Sequence, residues 1–193
     1  MRTLQLSLLD PPPSPARPQD FEYCPELIPP DDEAELIARF RELPFREFEF
    51  HGFLGKRRTV SFGLRYDFGD SKVHRSEDIP DFLLPLRDRA GAFAGLAAGQ
   101  IEHALVTEYT EGAAIGWHCD RPVFGDVIGI SFGSACRFRF RRKRGAGWER
   151  SAITLEPRSA YILRGPVRTE WEHSIPPAEA LRYSVTFRTV RNK

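Results

Sequence analysis

A short motif in the second half of the chain combines residue types that bind metals. His118 and Asp120 are two residues apart, so on an extended strand both side chains point to the same face of the sheet. A later histidine, His173, can complete a set of two imidazoles and one carboxylate. This set is the facial triad that binds non-haem Fe(II) and leaves coordination positions open. His118 alone is more typical of a hydrogen-bonded core histidine, because such short motifs recur by chance.

The segment from Arg182 to Arg188 alternates polar and apolar residues, as an amphipathic strand does. Its even positions carry Arg, Ser, Thr and Arg, and its odd positions carry Tyr, Val and Phe. The polar face therefore presents two guanidinium groups ~20 Å apart along a fully extended strand. Two interpretations stay open: an outer strand with a solvated polar face, or a buried face on which arginine captures a carboxylate co-substrate.

Length and composition indicate an ordinary single domain. The 193 residues are 41% hydrophobic and 28% charged, and the net charge of +1 predicts no global attraction to nucleic acid or membranes. The three cysteines, Cys24, Cys119 and Cys136, form no metal-type pair and predict reduced thiols. No apolar run has the length of a signal peptide or membrane span. We expect a cytoplasmic monomer with no membrane partner.

The first half of the chain combines a proline-rich start with helical and extended segments. Residues 1–20 hold consecutive prolines, which predict an extended tail in front of a domain over 21–193. Later, Pro85 and Gly91 interrupt an apolar helical pattern and predict one kinked helix or two short ones. The predicted segments are a helix over 30–44, strands over 45–50 and 58–62 around Gly52 and Gly55, and a helical region over 78–98.

The second half consists mainly of short strands between glycine and proline turns. Two facing sheets of such strands form a jelly roll, whose interior can hold a cofactor. We therefore predict an α+β, mainly β fold: a double-stranded β-helix (jelly roll) with the N-terminal helices packed on one sheet. The predicted strands are 101–109, 116–118, 127–132, 136–141, 148–155, 160–163, 170–173 and 181–188.

The order and spacing of these motifs resemble the AlkB family of Fe(II)/2-oxoglutarate dioxygenases. The resemblance covers residues 45–190 and includes Tyr109, which lies nine residues before His118. It implies that His118, Asp120 and His173 are the catalytic iron ligands. The other histidines have less support, because His51 and His74 lie in predicted loops and His103 lies on a strand without a partner carboxylate.

The resemblance also implies a binding site for the co-substrate. Arg182 would pair with the distal carboxylate of 2-oxoglutarate, and Tyr109 and Arg188 would hold the co-substrate and order the site. Ser184 and Thr107 stand where the family often has asparagine, and each keeps a shorter hydrogen-bonding side chain. With Fe(II), 2-oxoglutarate and O2, the expected products are succinate, CO2 and an oxidised substrate.

An alkylated nucleobase, single-stranded or flipped out of a duplex, is the substrate that the family implies. Removal of an N-methyl group would release formaldehyde. The region 56–66 lies where the family carries its substrate lid, and core packing is the alternative for its Phe62. The residues considered for substrate contact are Phe62, Arg65, Tyr66 and Trp117.

Two features leave the substrate open. Pro122 replaces an acid that often contacts the base in AlkB-like repair enzymes, and Asp126 is the nearest residue that could replace it. The run Arg137–Arg144 predicts either phosphate contacts or a solvated outer strand with a charged edge. Three interpretations therefore remain: a nucleic-acid dealkylase, a hydroxylase or demethylase of a protein or small molecule, and a non-catalytic jelly-roll binding module.

Overall fold

A computed structural model of the chain describes residues 17–50, 53–67, 72–97 and 99–191, and strands dominate these ranges. The proline-rich start up to residue 16 lies outside them, so the tail stays a prediction. The strands are β1 (Phe21–Cys24), β2 (Arg46–Phe50), β3 (Phe53–Phe62), β4 (Leu64–Asp67), β5 (Lys72–Arg75), β6 (His103–Tyr109), β7 (Ile115–His118), β8 (Phe124–Gly133), β9 (Cys136–Arg144), β10 (Gly147–Leu155), β11 (Ala160–Leu163), β12 (Glu172–Ile175) and β13 (Arg182–Val190). The helices are α1 (Pro30–Phe40), α2 (Leu84–Ala94), which follows a 3-10 turn over Asp81–Leu83, and α3 (Gly165–Thr169).

The larger sheet has seven strands in the order β1-β11-β8-β13-β6-β3-β2. The odd residues of β13, Tyr183, Val185 and Phe187, point to one face of this sheet and pack in a core with Phe40 of α1 and Leu86 of α2. Both N-terminal helices therefore cover the same sheet face. Burying such an apolar face against helices is what stabilises a layered fold.

The smaller sheet has four strands in the order β10-β9-β12-β7. A second core lies between the two sheets and includes Phe138 and Phe140 of β9, Val127 of β8 and Leu163 of β11. Arginine and phenylalanine alternate along β9, and both rings point into this core, since Phe138 and Phe140 are each 1% exposed. The two facing antiparallel sheets confirm the predicted jelly roll and the placement of the helices.

All eight strands predicted in the second half form, with ends that differ by a few residues. The strand predicted over 170–173 runs from Glu172 to Ile175, because α3 occupies the chain up to Thr169. The interruptions predicted at Pro85 and Gly91 do not divide α2, which contains both residues. Pro85 lies in the first turn of α2, where a proline is tolerated because that N–H has no partner within the helix.

Some elements could not be predicted from the pattern. The strand β1 and the hairpin strands β4 and β5 have four residues each, and α3 has five, so none is long enough to show a period. Gly55 does not separate strands as predicted, since it lies within β3 opposite a register shift in β2. Within the described ranges, no helix is long and apolar enough to span a membrane.

Candidate active site

Strand β13 lies between β6 and β8 and places its polar face against the space between the sheets. Its pairing with β6 sets Arg182 opposite Tyr109 and Ser184 opposite Thr107. Arg182 is 1% exposed. The solvated outer strand that the sequence left open is therefore wrong, and the polar side chains of β13 face an internal cavity.

This cavity gathers side chains from both sheets, including all eight residues predicted for metal and co-substrate binding. Three arginines line it, while Asp120 is the one carboxylate among the described lining residues. Such an excess of positive charge in a partly buried space favours an anionic ligand. The lining residues are Arg57, Leu105, Thr107, Tyr109, Ile115, His118, Asp120, Val127, Phe138, Tyr161, His173, Ile175, Arg182, Ser184, Thr186 and Arg188.

The three predicted metal ligands meet at one end of the cavity. Strand β12 pairs with β7 so that His173 lies directly opposite His118, and their ring centroids are 4.2 Å apart. Asp120 follows β7 after two residues, and its Oδ2 lies 3.6 Å from His173 Nε2. His118 and Asp120 thus lie on one side of the sheet, as their spacing predicts, and His173 joins them from the neighbouring strand.

Two arginines fix Asp120 and the loop that carries it. Arg188 donates hydrogen bonds to Asp120 Oδ1 from Nε at 3.1 Å and from Nη2 at 2.9 Å. Arg168, which is 4% exposed, donates to the backbone carbonyls of Asp120, Arg121 and Phe124 at 3.2, 2.6 and 3.0 Å. The carboxylate and the path of its loop are therefore held by separate guanidinium groups.

The surroundings set the protonation states that a metal needs. Burial, and after it the neighbouring His118, lower the pKa of His173 to about 3. Burial also lowers the pKa of His118. Burial alone would raise the pKa of Asp120, but Arg188 and then His173 and Arg168 hold it well below its usual range. At neutral pH the site therefore presents two neutral imidazoles and one ionised carboxylate.

This donor set fits Fe(II). Neutral imidazole and carboxylate are its usual ligands in facial triads, which leave positions for a co-substrate and O2. Among the described residues, no three His, Cys, Asp or Glu side chains already surround a common point as ligands do. His118 Nδ1 lies 2.9 Å from the carbonyl of Gly116, an outer contact of the kind that leaves the other ring nitrogen for a metal.

The other end of the cavity is built around the buried guanidinium of Arg182. Its Nε donates to Ser131 Oγ at 3.2 Å, and its charged group lies 4.8 Å from the centroid of the Tyr109 ring. Arg182 Nη1 is buried and has no hydrogen-bond partner among the described residues. A buried charge without a partner is costly. The carboxylate of 2-oxoglutarate fits this position, because it supplies both the charge and the missing acceptor.

Two of the four residues predicted for substrate contact, Phe62 and Trp117, lie away from the cavity. Phe62 is 4% exposed and packs in the core beneath the helices, so it is a core residue instead of a stacking platform. Trp117 points to the outer face of the smaller sheet, where the guanidiniums of Arg139 and Arg141 cover its ring. The side chains of Arg65 and Tyr66 lie outside the described ones, so their predicted role stays untested.

Several residues of the site have no signal in the sequence. Arg57 reaches the cavity from β3 beside Tyr109, and Tyr161 reaches it from β11. His103 Nδ1 lies 3.2 Å from Arg188 Nη1. Of these residues, only Tyr161 had a local signal in the sequence. It alternates with the apolar Ala160 and Ile162 on β11, so its side chain points to the opposite face of the sheet.

Asp126 does not take the place of the acid that Pro122 replaces. Its Oδ2 lies 3.3 Å from Arg164 Nη2, and its backbone N–H donates to Thr189 Oγ1 at 2.9 Å. Asp126 is absent from the described lining of the cavity. Among the described lining residues, Asp126 therefore does not stand in for the acid that Pro122 replaces.

Comparison with known proteins identifies the family. The 2OG-Fe(II) oxygenase superfamily model matches residues 21–188. The alkylated DNA repair protein ALKBH8 homolog of Arabidopsis thaliana is 29% identical over 175 residues, which are 72% of this chain and 51% of that protein. The DNA oxidative demethylase ALKBH2 of the same plant is 25% identical over 140 residues, 57% of this chain and 45% of that protein. The chain thus spans about half the length of these two relatives.

A solved structure shows the same fold. The structure of OsALKBH1 superposes with a TM-score of 0.66 at 17% identity, covering 88% of this chain and 96% of that chain. The order of the motifs in the sequence, the double-stranded β-helix and the family match all agree. The AlkB-like interpretation of the sequence is confirmed, and the chain belongs to the 2OG-Fe(II) oxygenase superfamily.

Proposed function

We propose that this protein is an Fe(II)- and 2-oxoglutarate-dependent dioxygenase that demethylates alkylated bases in nucleic acid. The observation that carries the co-substrate assignment is the buried Nη1 of Arg182, which lacks a partner among the described residues. Arg188, on the same strand, holds the carboxylate of the ligand set. One strand thus links the position proposed for a co-substrate carboxylate to the position proposed for the metal.

Each end of the cavity has a separate task. Arg182, supported by Ser131 and Tyr109, would bind the distal carboxylate. His118, Asp120 and His173 would hold Fe(II), which with bound 2-oxoglutarate and O2 supplies the oxidation of a substrate C–H bond. Val127, Phe138 and Ile175 line the space between with apolar side chains that limit access of water.

Nucleic acid as the substrate is supported by two relatives whose names refer to DNA repair and DNA oxidative demethylation. Oxidation of an N-methyl group gives a hydroxymethyl product that loses formaldehyde. Succinate and CO2 are the products of 2-oxoglutarate in such a reaction. A methylated base would have to leave its stack to reach the ligand cluster, as in other enzymes that act on bases.

A second candidate function is the hydroxylation or demethylation of a protein or small molecule on the same ligand set. Pro122 favours it, because an acid is missing at the base-contacting position and Asp126 is paired with Arg164. The non-catalytic binding module has no comparable support, because the full proposed ligand set lines one cavity with Arg182, whose buried Nη1 has no hydrogen-bond partner among the described residues.

Succinate formation from 2-oxoglutarate tests the proposal. The assay contains Fe(II) and ascorbate, with or without a single-stranded oligonucleotide that carries 1-methyladenine or 3-methylcytosine. We expect the methylated oligonucleotide to stimulate succinate formation and to release formaldehyde, and we expect His118→Ala and Asp120→Ala to abolish both with little loss of fold. Turnover that ignores the oligonucleotide would reject the nucleic-acid substrate and favour the second candidate. Full activity in either variant would reject the site.

A further inference from the structure

The outer face of the smaller sheet carries a cluster of basic and aromatic side chains that the proposed reaction does not use. The register of β9 and β10 places Lys143 beside Trp148 and Arg141 beside Arg150 on this face. Glu172 of β12 lies opposite Arg141 and forms an ion pair with it. We name this cluster the outer basic face; its members are Trp117, Arg137, Arg139, Arg141, Lys143, Trp148 and Arg150.

Charge on the outer basic face is strongly one-sided. Its five cations face one carboxylate in these strands, Glu172, which pairs with Arg141. Arg137, Lys143 and Arg150 are exposed, and none has an ion pair among the described residues. The nearby Glu149 and Glu170 pair with Arg142, which belongs to the opposite side of β9. The net charge of the whole chain, +1, hides this local excess.

Aromatic rings lie between these cations. The Arg141 guanidinium is 4.5 Å from the centroid of Trp117 and 4.4 Å from that of Trp148. Arg139 also lies over Trp117, at 5.1 Å, and Lys143 lies over Trp148, at 5.2 Å. Trp148 is 37% exposed, so part of its indole ring is open to a ligand. Unpaired bases stack on indole rings and also on the planes of arginine guanidinium groups.

We propose that the outer basic face is a second binding surface, on which single-stranded nucleic acid lies with its phosphates on the arginines and bases on Trp148. A four-stranded antiparallel sheet with exposed aromatic and basic side chains is a known platform for single strands. An acidic peptide would pair with the cations but would leave the indole rings unused. The proposal rests on the proposed function only in taking nucleic acid as the polyanion.

The position of the face explains how it would serve the site. Trp117 and His118 are neighbours on β7, and alternation along a strand sends their side chains to opposite faces. β7 is one of the two edge strands of the smaller sheet. A single-stranded nucleic acid held on the outer basic face could pass over the edge formed by β7. One of its nucleotides would then move from the face that carries Trp117 to the face that carries His118.

Salt-dependent binding of an unmethylated fluorescent oligothymidine to the full chain tests the proposal. The variant replaces the exposed, unpaired cations: Arg137→Gln, Lys143→Gln and Arg150→Gln. A single-stranded phosphate contact contributes about 0.7 to the slope of log affinity against log salt, so loss of three contacts lowers the slope by about 2. From 50 to 200 mM salt, the wild-type affinity would then fall ~20-fold more than that of the variant.

A second triple variant controls for net charge. Arg39→Gln, Arg87→Gln and Arg89→Gln remove the same charge from exposed and half-buried positions of α1 and α2, on the far side of the larger sheet. We expect it to keep the wild-type slope. Trp148→Ala should weaken binding about 5-fold or more without changing the slope, since stacking does not depend on counterions. Circular dichroism and metal affinity check that each variant is folded.

Each result decides the proposal. Equal slopes for the wild type and the Arg137, Lys143 and Arg150 variant would overturn it. Displacement of the oligothymidine by polyglutamate of equal charge, with equal strength, would overturn it in favour of an acidic protein partner. Salt-dependent binding without methyl-stimulated turnover would reject the proposed reaction and keep this surface, whereas the reverse result would reject the surface and keep the reaction.

Discussion

Arg188 donates two hydrogen bonds to one oxygen of Asp120, at 3.1 and 2.9 Å, and leaves the other oxygen facing His173. The same guanidinium lies 3.2 Å from His103 Nδ1 and 5.0 Å from the centroid of Phe124. It is thus held on several sides. One carboxylate oxygen is used for structure, and the second stays oriented toward the proposed metal position.

Replacing Arg188 by Gln should weaken metal binding. The carboxylate would lose two charge-assisted hydrogen bonds, and loss of such an outer partner typically lowers metal affinity on the order of 10- to 100-fold. Titration with Co(II) as a spectroscopic substitute for Fe(II) measures the change. Arg87→Gln, on the surface of α2, is the control and should bind as the wild type does. Unchanged affinity in the Arg188 variant would show that Asp120 needs no such support.

Arg182 should determine the requirement for 2-oxoglutarate. Arg182→Ala removes the charge that we propose to pair with the distal carboxylate, so the KM for 2-oxoglutarate should rise on the order of 10- to 100-fold. Arg182→Lys keeps the charge without the planar fork and should give an intermediate KM. Tyr183→Phe is the matched control, since Tyr183 is the next residue on β13 and packs in the core beneath the helices. An Arg182→Ala enzyme with the wild-type KM would refute the assigned role.

Much of the arrangement at the Arg182 end of the cavity could be predicted from the sequence of β13 alone. The alternation of β13 was enough to separate Tyr183, Val185 and Phe187 from the polar face, because a period of two is local information. What alternation cannot tell is whether the polar face meets water or a cavity. That choice depends on the neighbours of β13, which are β6 and β8.

Some residues reach the site through a strand pairing or a short helix that the sequence does not predict, so their roles could not be found from the sequence. Arg57 lies at the cavity because β3 pairs with β6, a long-range contact without a local pattern. Arg168 is in a five-residue helix, which is too short to show periodicity. Phe62 was considered for stacking because its region mixes basic and aromatic residues, but the same strand pairing turns its ring into the core.

Arg168 should act by positioning the loop that carries Asp120. Arg168→Met leaves three backbone carbonyls, of which that of Phe124 is buried, without their donor, so both the free energy of unfolding and the Co(II) affinity should fall. Arg168→Lys retains a donor and should recover part of the Co(II) affinity. Urea unfolding and Co(II) titration of both variants separate the two effects. A role in stability alone would lower the unfolding midpoint and leave the Co(II) affinity of the folded protein at the wild-type value.

Gly129 should protect the shape of the cavity. It lies opposite Tyr161 in the β11–β8 pair, and a Cβ atom at this position would overlap the Tyr161 ring. Gly129→Ala should therefore push the ring, which lines the cavity, toward the co-substrate position and raise the KM for 2-oxoglutarate several-fold. Gly147→Ala is the control, because its added Cβ would meet only the carbonyl of Arg144 at 3.9 Å. Equal KM values for the two variants would show that the ring moves elsewhere.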